Sequence, residues 1–437
     1  MFCADCICLP FAQPRLAAGN VVLADDECIE QTGQMALKQD GGEAERIIIA
    51  MIERVILLVM DGCGAGTAPD AALFGDTGAN CGNTLVNVAK AVDGLSIPTL
   101  RSLGLGNALP LVGGAPLAEP IGSYGRLRET SMGGKDTVTG HWEMMGATVA
   151  KAFPTYPNGF PEDLVKAFEE AIGSEVLGNY PASGTTIIND LGPEHMATKK
   201  PILYTSADSV FQVACHEDII PIDRLYEICL AGRRLLTGDN GVQRVIARPF
   251  IGQPGSFKRT ERRKDFPIDP PENIIDRLAK AGIKVAGVGV VPEVFGGRGF
   301  AWKKRTQSNE EHYKATLEAM ETDCRFIFTN FEDFDMLYGH RQDAPGFARA
   351  LETFDGYLKD IMGKMRETDL IMLTADHGND PTTPSTDHAR EYAPVLVYSP
   401  AVKGGVNYGD RETFADLSAT IAKVFSVQPM DIGTPLI

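Results

Sequence analysis

The apolar run Val55-Ile-Leu-Leu-Val-Met60 ends abruptly at Asp61-Gly62, with no polar alternation along its length. A run of this kind reads as a buried strand followed by a turn. The pattern then recurs. Residues 272–281 carry Ile274, Ile275, Leu278 and Ala279 at helical spacing, Gly282 falls just past the helix end, and a strand is expected over 285–291. Further strands are expected at 326–329, 370–374 and 395–398, with helices over 346–365 and 412–425; Phe414, Leu417, Ile421 and Val424 make one stripe of the last. Strands and helices in alternation predict an α/β fold with a mostly parallel sheet covered by helices on both faces.

The texture changes between residues 151 and 271. Helices at 162–172 and 224–236 stand among strand-like pieces at 202–205 and 242–247, which predicts an inserted α+β cap domain. The core domain is then 51–150 together with 272–437. Residues 1–50 lie outside this pattern and read as a tail, with Met51 as the expected true start. Cys3, Cys6 and Cys8 have no second pair at zinc-finger spacing, and Asp25, Asp26 and Glu27 argue against a transit peptide. A protein shortened to begin at Met51 is expected to keep the melting temperature and activity of the full chain. Insolubility or inactivity of that protein would show the segment to be structural.

A net charge of −17 argues against a nucleic-acid partner, because affinity for phosphate backbones comes from clustered Lys and Arg. Small anionic substrates stay compatible with local positive charge. No apolar run reaches the length of a membrane span. The nine cysteines form no even framework of a small secreted domain, so reduced thiols and a cytoplasmic location are expected.

Ligands of open α/β sheets bind beyond the carboxyl ends of the strands. Asp61 follows the first strand, Asp335 and His340 follow the strand at 326–329, Asp376 and His377 follow that at 370–374, and His388 precedes that at 395–398. Singly, each has an ordinary alternative: a turn cap, a core histidine, an acidic loop residue. Jointly, three of only seven histidines fall beside carboxylates at one sheet edge. Three carboxylates and three imidazoles suit two borderline divalent ions, Mn²⁺ or Zn²⁺, better than Ca²⁺. The loop Gly133-Gly-Lys-Asp-Thr-Val-Thr-Gly-His-Trp-Glu143 adds glycines that let an anion approach and the hydroxyls of Thr137 and Thr139. Thr137 is either a nucleophile awaiting activation by metal or simply the cap of a following helix.

The segments Asp61-Gly-Cys-Gly-Ala-Gly-Thr-Ala-Pro-Asp70, Gly134-Lys-Asp-Thr-Val-Thr-Gly-His-Trp-Glu143, Phe334-Asp-Met-Leu-Tyr-Gly-His340, Ala375-Asp-His-Gly-Asn-Asp380 and Thr386-Asp-His388 resemble the bacterial phosphopentomutases, in the alkaline phosphatase superfamily. The resemblance runs from about Glu53 to the C-terminus and implies an alkaline-phosphatase-like core. It implies an isomerase that interconverts ribose (or 2-deoxyribose) 1-phosphate and 5-phosphate through a phosphothreonine at Thr137 and a bisphosphate intermediate, with a sugar bisphosphate as activator. It implies one Mn²⁺ on Asp61, Asp376 and His377, and another on Asp335, His340 and His388. It further implies a distal-phosphate grip by Arg248 and Arg263 and a sugar contact by Asp208. The run from Lys258 to Lys264 has the alternative reading of a solvated basic face. One departure stands out: Val290 and Glu293 occupy positions where the family usually has Lys and Asp. Rivals on the same sequence are a metal-dependent phosphohydrolase, a phosphoglycerate-mutase-like enzyme and a non-catalytic metal-binding homologue.

Overall fold

The computed structural model describes residues 51–206 and 209–437. Residues 1–50, including the Cys3, Cys6 and Cys8 cluster, and Asp208 lie outside the described residues. The strands in chain order are β1 (Arg54–Met60), β2 (Ser123–Leu127), β3 (Leu177–Pro181), β4 (Ile202–Thr205), β5 (Val210–His216), β6 (Arg244–Ile251), β7 (Lys258–Arg259), β8 (Lys264–Pro267), β9 (Val285–Val288), β10 (Phe300–Lys304), β11 (Phe326–Phe331), β12 (Asp369–Thr374), β13 (Ala393–Tyr398) and β14 (Asn407–Arg411).

Eight of them form one sheet in the order β10-β9-β11-β1-β12-β13-β2-β14. Every pairing is parallel except the two made by β13. The sheet is thus mostly parallel, and helices such as Ala344–Gly363 and Asp416–Phe425 pack their apolar stripes into its core. This is the α/β architecture that the alternating strands and helices predict. β1 is buried along its whole length, as a strand covered on both faces must be. Its first residue, Arg54, lies opposite Asp369 of β12, and Nε and Nη2 grip the carboxylate at 3.0 and 2.5 Å. The planar fork satisfies both charges inside the sheet.

The other six strands form a second sheet, β3-β4-β5-β6, in which β7 and β8 both pair with β6. It carries its own two apolar clusters, one built around Phe168 and Phe211 and the other around Tyr204 and Phe250. Among the described residues, no helix is long and apolar enough to cross a membrane, and Cys63, Cys81, Cys215, Cys229 and Cys324 are free thiols.

The expected elements shift at several ends. The strand expected over 285–291 stops at Val288, because Gly289 takes a φ of +73° and the chain turns into the short helix Val291–Val294. The helix expected over 272–281 is Ile274–Lys280, started by a reciprocal cap between Asn273 and Asp276. The helix expected over 412–425 begins at Asp416, since the residues before it leave β14.

Candidate active site

β1, β11 and β12 are parallel neighbours, so their carboxyl ends open on the same edge. Asp61 directly follows β1, Asp376 follows β12 after Ala375, and Asp335 sits in the π-helical turn Phe334–Tyr338 beyond β11. His340 lies in the next turn, Gly339–Arg341. The resulting cluster is dense. His377 Nε2 stands 3.4 Å from Asp61 Oδ1 and 3.4 Å from Asp376 Oδ2. Asp335 faces His388 Nε2 at 3.5 Å and His340 Nε2 at 3.1 Å. The rings of His377 and His388 lie 4.0 Å apart, centre to centre.

Donor atoms of Asp61, Asp376 and His377 fall within 4.8 Å of one another, and so do those of Asp335, His377 and His388. His377 therefore belongs to both groups. His340 reaches the second group through Asp335, and its ring is the most exposed of the three.

The carboxylates divide their labour. Asp61 Oδ2 accepts from Asn330 at 2.6 Å, Asp376 Oδ1 accepts from the amides of Gly62 and His377, and Asp335 Oδ1 accepts from Asn379 at 2.7 Å. Asp61 Oδ1 and Asp376 Oδ2 are buried with no hydrogen-bond donor. Burial, together with the Asp376 and Asp335 carboxylates, pushes the Asp61 carboxyl well above its usual range. Orphaned anionic oxygens converging on an imidazole nitrogen fit a divalent cation, whose charge offsets that cost. His377 Nδ1 lies 3.2 Å from the Gly378 carbonyl and His340 Nδ1 lies 2.7 Å from that of Thr386. Each Nδ1–H donates to its carbonyl, which leaves Nε2 as the lone pair facing the cluster.

Thr137 is the first residue of the helix Thr137–Met144, and the cap is Asp136, whose side chain accepts from the amides of Val138 and Thr139. The capping alternative for Thr137 is thereby taken by its neighbour. Thr137 Oγ1 lies 3.3 Å from His377 Nε2. A side chain at Gly140 would come within 2.4 Å of the Asp376 carbonyl oxygen, so the glycine lets this helix press directly on the end of β12. The loop before the helix is anchored by the fully buried Arg390. Its guanidinium donates to the carbonyls of Glu129, Ser131 and Gly134 and pairs with the carboxylates of Asp70 and Glu129. Arg390 thus ties the Thr137 loop to the segment that follows His388.

A cleft of about 950 Å³ runs from this cluster to the second sheet, with Asp61, Thr137 and Asp335 on one side and Arg244 and Arg263 on the other. Arg248 lies outside this cleft; with Arg263 and Gln212 it lines an adjoining cavity of about 290 Å³, and Gln212 accepts from Arg248 Nε at 3.0 Å. Arg263 holds Asp265 through both Nε and Nη2, Arg262 pairs with Glu217, and Lys264 lies over Tyr226, so much of the basic run is partnered. At Val290 the backbone amide donates to Glu332, which also accepts from Arg305 at 3.0 Å; Lys303 and Arg305 are the cations on that wall. Sequence reasoning missed Asn330, Asn379, Arg390, Arg244 and Gln243. Asn379 stands inside the segment Ala375 to Asp380 and Asn330 is the next-to-last residue of β11, so attention to amides at strand ends finds both. Arg390, Arg244 and Gln243 act across the fold and leave no local signal.

A profile of the metalloenzyme superfamily matches residues 53–429. The phosphopentomutase of Carboxydothermus hydrogenoformans is 53% identical over 380 residues, covering 86% of this chain and 97% of that one. The phosphopentomutase of Caldanaerobacter subterraneus subsp. tengcongensis is 52% identical over 386 residues, covering 88% of this chain and 97% of that one. Among solved structures, the phosphoglycerate mutase of Leishmania mexicana aligns with a TM-score of 0.43 at 13% identity, over 88% of this chain and 97% of that one.

Proposed function

The chain belongs to the phosphopentomutase family of the metalloenzyme superfamily, a metal-binding isomerase, and from that premise we propose that it interconverts ribose 1-phosphate and ribose 5-phosphate through a phosphothreonine at Thr137. The observation that carries this reading is the position of the Thr137 hydroxyl, 3.3 Å from His377 Nε2 at the mouth of a cleft whose far wall is cationic.

In this reading Asp61, Asp376 and His377 hold one divalent ion and Asp335, His340 and His388 a second, with Mn²⁺ the expected metal. Such a pair activates a hydroxyl and neutralises charge on a transferring phosphoryl group. The remaining work is positioning. Phosphorylated Thr137 gives its phosphoryl group to the free hydroxyl of a bound pentose phosphate: the Thr137 O–P bond breaks as the sugar O–P bond forms, and the sugar hydroxyl proton ends on the Thr137 oxygen, restoring its hydroxyl. The pentose bisphosphate turns end for end and returns its other phosphoryl group to Thr137, releasing the isomer. A sugar bisphosphate charges an unphosphorylated chain by the same step. Residues 151–271 serve as a cap that excludes water, with Arg248 and Arg263 gripping the phosphate remote from Thr137 and Asp208 contacting the sugar.

The test is a metal-supplemented assay that follows ribose 1-phosphate to ribose 5-phosphate while free phosphate is measured. Isomer without matching phosphate is the expected result, and phosphate without isomer identifies a hydrolase instead. Arg248→Ala is expected to lower kcat/KM for isomerisation about ten- to a hundredfold, the size of a lost guanidinium–phosphate contact, while hydrolysis of a small phosphate ester changes less than about threefold. Equal losses on both substrates remove Arg248 from the phosphate grip.

A further inference from the structure

Gln243 stands at the start of a strand of the second sheet, but its side chain binds the cap of the Thr137 helix. The residue immediately precedes β6, it is buried, its amide nitrogen donates to Ser209 Oγ at 3.2 Å and its carbonyl accepts from Ile268 at 2.9 Å. The backbone is thus fixed within the second sheet's own framework. The side chain crosses to the other wall, where Nε2 donates to Asp136 Oδ1 at 2.7 Å. An ionised carboxylate only accepts, so the amide presents its NH₂ to it.

Asp136 is the residue before Thr137 and the cap of its helix. The oxygen that takes the Gln243 bond is the one that accepts from Val138 and Thr139 at 3.0 and 3.3 Å, and Oδ2 takes the Thr139 hydroxyl at 3.1 Å. The helix Thr137–Met144 has eight residues, so its first turn, with Thr137 at its start, is set largely by this cap. Arg244, the next residue after Gln243, faces Thr137 across the cleft. One short segment of the second sheet therefore both lines the substrate space and touches the cap of the Thr137 helix.

We propose that Gln243 is a positioning residue that aligns Thr137, through Asp136, while the second sheet lies against the cleft. Phosphoryl transfer to a pentose phosphate, which draws the second sheet in through its remote phosphate, then proceeds on an aligned Thr137. A small ester that spans no further than the Thr137 end draws no benefit from the bond. The inference rests on the reaction assigned above.

The experiment compares wild type, Gln243→Met and Gln243→Glu as full-length, metal-loaded protein, on ribose 1-phosphate isomerisation and on hydrolysis of a small phosphate ester. Gln243→Met keeps the volume and loses the donor. It is expected to lower kcat for isomerisation about tenfold, the effect of one charge-assisted hydrogen bond, with KM and ester hydrolysis within about twofold of wild type. Gln243→Glu keeps the length and polarity of the side chain but replaces the donor with an acceptor. It sets two carboxylates face to face and is expected to lose more turnover than Gln243→Met. Loss of kcat on both substrates alike in these variants, or no loss on either, overturns the coupling while wild-type isomerisation leaves the assigned reaction standing. A wild type that does not isomerise overturns both.

Discussion

Thr137→Ala is expected to abolish isomerisation while leaving the metal content and the melting temperature of the protein close to wild type. The substitution removes the only group assigned to carry the phosphoryl covalently. Helix capping survives because Asp136, rather than Thr137, accepts from the first free amides. Asp61, Asp335, Asp376, His340, His377 and His388 all remain in place. Thr139→Ala should cost far less, since that hydroxyl is buried against Asp136 and faces no substrate space. Wild-type protein treated with a sugar bisphosphate should gain one phosphate, mapped to Thr137 by peptide mass spectrometry. Phosphate on another residue, or isomerisation by Thr137→Ala, would end the phosphothreonine mechanism and leave the metal cluster untouched.

Stripping the metal with a chelator is expected to remove turnover completely and to lower the melting temperature, with both restored by Mn²⁺. A cation that binds only the folded chain stabilises it by about 2.7 kcal/mol at a hundred times its dissociation constant. Asp61→Asn separates the two effects. The Asp61 charge is opposed by burial and by the Asp376 and Asp335 carboxylates, whereas an asparagine oxygen still accepts from Asn330. The metal-free Asp61→Asn protein should therefore unfold at or above the temperature of the metal-free wild type, and it should gain little from added Mn²⁺. A metal-free variant markedly less stable than metal-free wild type would show that the Asp61 charge supports the fold.

The strands legible in the sequence are those buried on both faces. β1, β11 and β12 read as apolar runs because their middles are buried on both faces, with the polar residues Arg54, Thr329, Asn330, Asp369 and Thr374 falling near the strand ends. β2 and β14, with the sequences Ser-Tyr-Gly-Arg-Leu and Asn-Tyr-Gly-Asp-Arg, were not legible, since each needs only part of its surface covered and carries arginine as readily as leucine. The strand-end rule located Asp61, Asp376 and His377 because parallel strands deliver their ends to one edge. It could not show that His377 lies close enough to Asp335 to share both donor groups, because that depends on how the turns beyond β11 fold back. The meeting of Gln243 with Asp136 depends on how the second sheet meets the Thr137 helix, and no local pattern encodes it.

The order of strands also sets when the site can exist. β1, near the start of the described chain, pairs only with β11 and β12, registering Val55 against Phe326 and Leu370. During synthesis its apolar edges stay open until most of the chain has left the ribosome, which exposes it to pairing with foreign strands and makes a chaperone's shelter valuable. Contacts so distant in sequence also slow the closing of the sheet. A nascent chain that has not reached β11 holds Asp61 but none of Asp335, Asp376, His377 and His388, so the carboxylate–imidazole cluster can assemble only once most of the chain has been made.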